Sequence, residues 1–493
     1  MLATPASPTP SLWRRLGFAV PAGTVALALG FAANGSTVFA FLLLPRLTHR
    51  LDGASLSAFQ ALWFVVFLVT PGIFGPLEQA TSARVAARRA RGSSDRDAIR
   101  TAGRTTVHLC AFVSVAAAGM SPLLVTRAFE HDRSFVAWLV VALVGNGGLF
   151  FVEGIVSGRR RFGRYAQLIA FEGAVRLLGC IALVLANVHD ASGYGALVAL
   201  TPWVTICFAC FRDPDLIASV RNVAPPGRHS PARVTERVQV RLAEMFTRDA
   251  GRKSPWAGDI AIRLDTREHR DGAMLTWRSG EMQFKQTVFH LLGSQLALQA
   301  LINIAPIAAT LLARPIDKPT VADFGTLFIV CRIPLFLYQA LAITLLTELS
   351  GLAATGKHAH LRKVTTRIVG GISAVGAIGM GALVVAARPL GRSLLGPTTE
   401  ISQRDWLLVG GANIIGMVAL TVAVALVAQG RIASSGIGWT IGFVVAALFI
   451  AVTVGSRSIV DRVTMSYGIG MLAATGALIS FALAPTPSRH KYS

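Results

Sequence analysis

The side chains best able to do chemistry in this sequence are the few charges set inside apolar stretches. Arg332 stands in the interior of the segment 324–346, with Pro334 two positions on. A charge at the centre of an apolar layer costs roughly 2.5–3.5 kcal/mol even on lenient scales, so something must offset it. A planar guanidinium grips phosphate oxygens through two parallel N–H bonds, and Pro334 lacks a backbone donor and frees neighbouring carbonyls. Arg332 therefore reads either as an anion-binding group in a cavity or as one half of a structural ion pair. Glu172 and Arg176 lie four residues apart, on one face of a helix, where they satisfy each other; that pairing is the first reading and a place on a substrate path the second.

Uncharged polar groups form a second set. Gln295, Gln299 and Asn303 repeat every four residues and make a polar stripe down one helix face. The stripe suits sugar hydroxyls or water, or helix–helix hydrogen bonds of roughly 1 kcal/mol each. Asn34 and Gly35, with Pro21 before them, sit in an uncharged stretch longer than a straight span needs, which suggests a bend lining a cavity. Glu78 and Glu348 occupy comparable ends of two segments and are candidates for gating or capping. Glu153 is expected to reach the interface or to pair with Arg159 or Arg160. Gly376, Gly379 and Gly381 are expected to be close-packing positions.

These residues need elements to hold them, and composition says which. The chain of 493 residues is 53% hydrophobic and 15% charged, with a mean hydropathy of +0.57; a soluble domain is about 25% charged. Twelve apolar segments alternate with short Arg-rich ones: 16–44, 59–77, 105–125, 135–156, 165–186 and 193–210, then 284–312, 324–346, 369–387, 407–428, 432–454 and 463–483. Each fits a membrane span of roughly 20 residues. Arg14-Arg15 before the first segment imitates a secretion signal, but the uncharged run is too long for one, so it reads as a retained helix. Cys110, Cys180, Cys207, Cys210 and Cys331 all fall in apolar segments and read as small buried hydrophobes rather than a disulfide framework.

The formal charge of +22 does not point to nucleic acid, because Lys and Arg lie between spans, where they meet anionic lipid headgroups. With the N-terminus inside, 33 of the 47 Lys and Arg fall in cytoplasmic segments and 11 in external ones, which places both termini in the cytoplasm. The polar segment 212–283 is then a cytoplasmic linker or small insert, with a possible hairpin around 260–277, between six-span lobes at 1–211 and 284–493. No G-x-x-x-x-G-K-[ST] or H-E-x-x-H sequence is present, so neither an ATP-driven step nor a zinc site is expected, nor any cofactor.

The halves carry traces of a repeat. Phe59-x-x-Leu62 matches Phe324-x-x-Leu327, and Gly158-Arg159 matches Gly430-Arg431, each before a new span. Lobes with an even number of spans share an orientation and pack about an axis along the membrane normal, with a cavity between them. The expected fold is thus all-α and polytopic, about twelve transmembrane helices in two six-helix lobes repeated in parallel around a central cavity.

Pro76-Leu77-Glu78-Gln79 with its basic tail, Arg161-Phe162-Gly163-Arg164-Tyr165 leading into Glu172-Gly173-x-x-Arg176, and Arg332-Ile333-Pro334-Leu335-Phe336 together resemble actinobacterial members of the polysaccharide exporter branch of the multidrug/oligosaccharidyl-lipid/polysaccharide (MOP) superfamily. The resemblance covers nearly the whole chain except the insert. It implies a non-enzymatic flippase of the bacterial inner membrane, moving polyprenyl-pyrophosphate-linked saccharides by alternating access. Arg332, Arg176, Glu172, Asn34, Gln295, Gln299 and Asn303 would then face the substrate and Glu78 and Glu348 the gate, with membrane lipids and cell-envelope glycosyltransferases as partners. An ion-coupled multidrug exporter of the same superfamily, or a membrane-embedded glycan polymerase or ligase, are the alternatives. The exporter would be favoured by isolated carboxylates deep in the first lobe.

Overall fold

A computed structural model describes residues 22–90, 94–214, 216, 288, 291–354, 357–396, 399–455 and 458–484. The insert beyond residue 216, the anticipated hairpin, Pro21, Arg14-Arg15 and both termini lie outside the described residues. Most of those described are helical, with no strand among them. In order they are α1 (Ala22–Leu47), α2 (Gly53–Val69), a π-helical turn (Thr70–Phe74), α3 (Gly75–Ala90), α4 (Arg96–Gly119), α5 (Ser121–Arg127), α6 (Ser134–Gly158), α7 (Phe162–Leu185) and α8 (Ala191–Arg212). The second half holds α9 (Leu291–Leu312), α10 (Lys318–Cys331), α11 (Ile333–Ala354), α12 (His358–Leu395), α13 (Gln403–Ala428), α14 (Ile432–Val452) and α15 (Ile459–Leu483).

Among the described residues nine helices are long and apolar enough to cross a membrane, ten when the bent pair α4–α5 counts as one span. With α1 and the broken pair α10–α11 they make the twelve spans of a multi-pass membrane protein. Three spans differ from their expected form. The third bends by 56° where α4 meets α5, at Pro122. The ninth, α12, runs 38 residues, because its basic first turns continue the helix beyond the apolar core. The first passes through Asn34 and Gly35 without a break; the glycine is accommodated as helix, and no bend is required to reach the cavity.

The two halves repeat one another in their packing. In the first, α1 lies against α7 and α6 against α8; in the second, α9 lies against α14 and α13 against α15. The turns from α6 to α7 and from α13 to α14 share a backbone path. Arg160 (φ 56°) and Gly430 (φ 79°) are left-handed, followed by Arg161 at φ −87°, ψ 55° and Arg431 at φ −92°, ψ 51°. The structural register of the repeat thus equates Arg160-Arg161 with Gly430-Arg431, two residues from the match by sequence.

Without a hydrophobic drive between helices in lipid, close approach of backbones carries the packing. At Gly173 on α7 a Cβ would stand 2.2 Å from Thr37 Oγ1 and 2.9 Å from Asn34 Cα, so α1 seats directly on this glycine. Gly173→Leu is expected to drive α1 from α7 and lose at least about 1–3 kcal/mol, read as a lower melting temperature of the purified chain in detergent. Gly376 is a similar contact, 2.6 Å from Ile414, but Gly379 and Gly381 meet nothing within 4 Å. They lie on the exposed side of α12 beside Val375 and Ile378, so close packing does not explain them. Cys180 and Cys331 are buried as expected, whereas Cys207 is exposed, on the face of α8 that carries Trp203 and Phe211 outward.

Candidate functional site

The halves are joined at one end of the bundle, where α1 finishes and α2 and α10 begin. Arg46 donates to Asp323 Oδ1 (2.5 Å) and to the carbonyls of Leu394 (2.7 Å) and Leu395 (2.9 Å), and Thr399 fixes the second oxygen of Asp323. Lys318 pairs with Glu130 (2.7 Å) and donates to the Arg127 carbonyl. A step deeper, Gln60 donates to Thr326 (3.1 Å) and Phe64 meets Phe328 edge-on.

Below this clasp, between the halves, lies a cavity of about 410 Å³, a volume typical of small-molecule sites. Its first-half wall is built mainly on three elements. The π-helical turn places Thr70 and Pro71 there. Pro71 cannot donate a ladder bond, and Gly72 lets Leu296 of α9 approach where a Cβ would be 2.9 Å from Leu296 Cδ2; wide turns of this kind gather at functional sites. On α7, Tyr165, Glu172 and Arg176 share one face, as positions i, i+7 and i+11 must. Arg176 is ion-paired with Glu172, reaches Asn34 Oδ1 (3.4 Å) and lies 5.6 Å over the Trp63 ring. Both partners are buried, at 6% and 7% exposure.

The third element is α6 with α3. Gly154 allows α6 to pack on the backbone of Glu78, whose carbonyl oxygen a Cβ would approach to 3.0 Å. This brings Glu153 beside Glu78, and both line the cavity. Glu153 was expected at the interface or paired with Arg159 or Arg160. It is instead buried against the cavity with no ion pair among the described residues, because Arg159 is taken by Asp95 (3.1 Å). Glu78 accepts the Tyr165 hydroxyl (2.6 Å), a contact within its own half. The side chain of Glu348 lies outside the described residues.

The second-half wall is centred on Arg332. It occupies the break between α10 and α11, at φ −88°, ψ −8°, and is 3% exposed. Its Nη1 donates to Asn303 Oδ1 (2.8 Å), and the Asn303 amide is itself held by the Gln299 carbonyl (2.8 Å). The guanidinium lies 5.8 Å from the Phe328 ring centroid. Gln295 and Gln299 open onto the cavity, while Asn303 stands behind as the residue that orients Arg332. The structure therefore brings Asn34, Glu78, Glu172, Arg176, Gln295, Gln299 and Arg332 to one cavity. Sequence reasoning passed over Thr70-Pro71-Gly72, a proline and glycine in mid-span whose signal was present, and Trp63 and Trp439, which line the cavity as ordinary apolar residues of their segments.

No protein-family model and no curated protein matches the sequence. Solved structures do match by shape. An inward-facing multidrug resistance MATE family transporter of the MOP superfamily aligns over 92% of this chain and 93% of its own at TM-score 0.60 and 12% identity. The chain has the MATE fold. A MATE transporter from Vibrio cholerae, VcmN, aligns over 94% and 97% at TM-score 0.59 and 13% identity. The eukaryotic MATE transporter AtDTX14 aligns over 94% and 95% at TM-score 0.59 and 13% identity. The MATE architecture of twelve helices in two lobes accounts for the repeat and for the cavity between its halves.

Proposed function

We propose that this chain is a membrane transporter that carries a lipid-linked saccharide across the membrane by alternating access. The observation that carries the reading is the pair of guanidiniums, Arg332 and Arg176, which the two halves contribute to one cavity. Two guanidiniums facing one cavity match the charge and oxygen-rich chemistry of a pyrophosphate, and the Nε of Arg176 has no hydrogen-bond partner among the described residues. Gln295, Gln299 and Asn34 supply donors and acceptors for sugar hydroxyls, and Trp63 and Trp439 supply apolar ring faces. The Lys/Arg bias puts the clasped end outside a bacterial inner membrane and both termini in the cytoplasm, so the cavity faces the cytoplasm, where a lipid-linked sugar made by cell-envelope glycosyltransferases would enter. Titration of the purified chain with polyprenyl-pyrophosphate saccharide should change the fluorescence of Trp63 and Trp439 with saturation, and Arg332→Ala should weaken that binding at least tenfold; an equal response to a neutral polyprenyl saccharide argues against the pyrophosphate as the handle.

A second reading has its own observation. Glu78 and Glu153 add two carboxylates to the first-half wall besides the paired Glu172, the feature an ion-coupled exporter of cationic compounds needs, and the structural neighbour named above is a multidrug transporter. Glu153→Gln separates the two. As a flippase the variant keeps its affinity for the pyrophosphate substrate; as a cation exporter it loses binding of a lipophilic cation by about tenfold or more, the effect of deleting one desolvated charge partner.

A further inference from the structure

A second pocket, of about 260 Å³, lies on a different face of α7 from the cavity and shares none of its lining residues. It opens between α7 and α8 at the end of the bundle away from the clasp. On α7 the stripe Arg164, Gln167, Leu168 and Phe171 repeats at three- and four-residue steps, so it lies on one helix face. Across from it on α8 stand Phe208 and Arg212, the rings of Phe171 and Phe208 being stacked at 4.0 Å. The two helices are antiparallel neighbours, so Arg164, in the first turn of α7, and Arg212, in the last turn of α8, meet at the same level. The aromatic pair lies about two turns deeper. The outward side of α8 beside the pocket is apolar, with Phe211 85% and Val204 44% exposed.

Positive charge is in excess at the rim. Asp213 is buried and ion-paired with both Arg161 and Arg164, the latter at 2.6 Å. Burial pushes its carboxyl up, but the two guanidiniums outweigh that and hold it below the usual carboxylate range. Asp213 thus stays ionised and fixes Arg164 beside the pocket, while neutralising only one of the positive charges. Arg212 is exposed and has no ion pair among the described residues. A basic rim above an apolar, ring-lined wall, at the depth where spans leave the hydrocarbon, is the shape and charge of one phospholipid: phosphate above, acyl chain below.

From this juxtaposition we infer that the groove between α7 and α8 is a binding site for an anionic phospholipid, its headgroup phosphate held by Arg164, Arg212 and Gln167 and its chain laid over Phe171 and Phe208. The site is independent of what the central cavity carries. It gives the first lobe a lipid-held edge, and its occupant differs from the annular lipids in needing the two arginines.

The test is retention of lipid by the full chain in detergent, read by native mass spectrometry, with phosphatidylglycerol and phosphatidylcholine as probes. The native chain should hold phosphatidylglycerol several-fold better than phosphatidylcholine. Arg212→Gln, which disturbs no ion pair of the described network, should lower phosphatidylglycerol retention about fivefold, the worth of one basic residue near a headgroup. Arg164→Gln should act in the same direction, and Arg314→Gln, an exposed arginine at the other end, should change nothing. Equal retention of the two lipids, undiminished phosphatidylglycerol binding in Arg212→Gln, or an equal loss in Arg314→Gln would each overturn the proposal.

Discussion

Arg332→Ala is expected to lower translocation of a polyprenyl-pyrophosphate saccharide by about two orders of magnitude. Removing one partner of a desolvated, hydrogen-bonded charge contact typically costs 2–5 kcal/mol, and Arg332 is 3% exposed and held in place by Asn303. Arg332→Lys keeps the charge but loses the planar fork, so it should fall between the alanine variant and the native chain, with a loss of roughly tenfold. The comparison is made in proteoliposomes of equal protein content, after size exclusion and a thermal melt establish that each variant is folded. Asn303→Ala adds a control for positioning: it leaves the guanidinium but frees its orientation, and should weaken binding with little change in the preference for pyrophosphate over monophosphate.

Locking the clasped end should stop transport altogether. A Cβ built on Gly53 lies 3.4 Å from Pro319 Cβ and 3.3 Å from its Cα, close to the Cβ–Cβ separation a disulfide spans. In a background where the five native cysteines are replaced, Gly53→Cys with Pro319→Cys should cross-link under mild oxidation, abolish translocation, and recover it on reduction. The logic is that of alternating access: the ends of α2 and α10 must part for the cavity to open on that side. Weakening the same end gives the opposite displacement. Arg46→Ala removes three hydrogen bonds across the seam, and at a net 0.5–1.5 kcal/mol for a typical bond it should shift the population toward the state open at that end, detectable as faster labelling of a cysteine placed at Gly53. Full transport by the oxidised cross-linked chain would show that this end never opens.

Much of the architecture was legible because lipid imposes simple rules. Long uncharged runs mark spans, Lys and Arg mark the loops, and an even number of spans in each half requires the halves to run the same way. The candidate site was legible for a related reason. A charged or amide side chain in a span needs a partner or a cavity, so Arg332, Glu172, Arg176, Gln295 and Gln299 announced themselves by type and position. What remained hidden depends on contacts between segments far apart in sequence. Glu153 looked like an interfacial residue because Arg159 and Arg160 follow it closely, yet Asp95, 64 residues away, takes Arg159, and Gly154 lets α6 press onto Glu78. The clasp was hidden for the same reason: Arg46, Lys318 and Asp323 read as ordinary residues of loops and helix ends until the fold sets them across the seam. The π-helical turn shows a different gap. Pro71 and Gly72 signal an irregularity, but whether a proline kinks, breaks or widens a helix is settled by what packs against it, here Leu296.

Carriage of a lipid-linked saccharide is measured on the native chain reconstituted alone into liposomes holding a fluorescent polyprenyl-pyrophosphate saccharide in the inner leaflet, with outward movement read by quenching from outside. A time-dependent rise in the quenchable fraction is expected, absent in empty liposomes and in the oxidised Gly53→Cys/Pro319→Cys chain. No movement of that lipid, together with accumulation of a lipophilic cation under an imposed ion gradient by the same preparation, would rule out saccharide transport and assign the cavity to cation export.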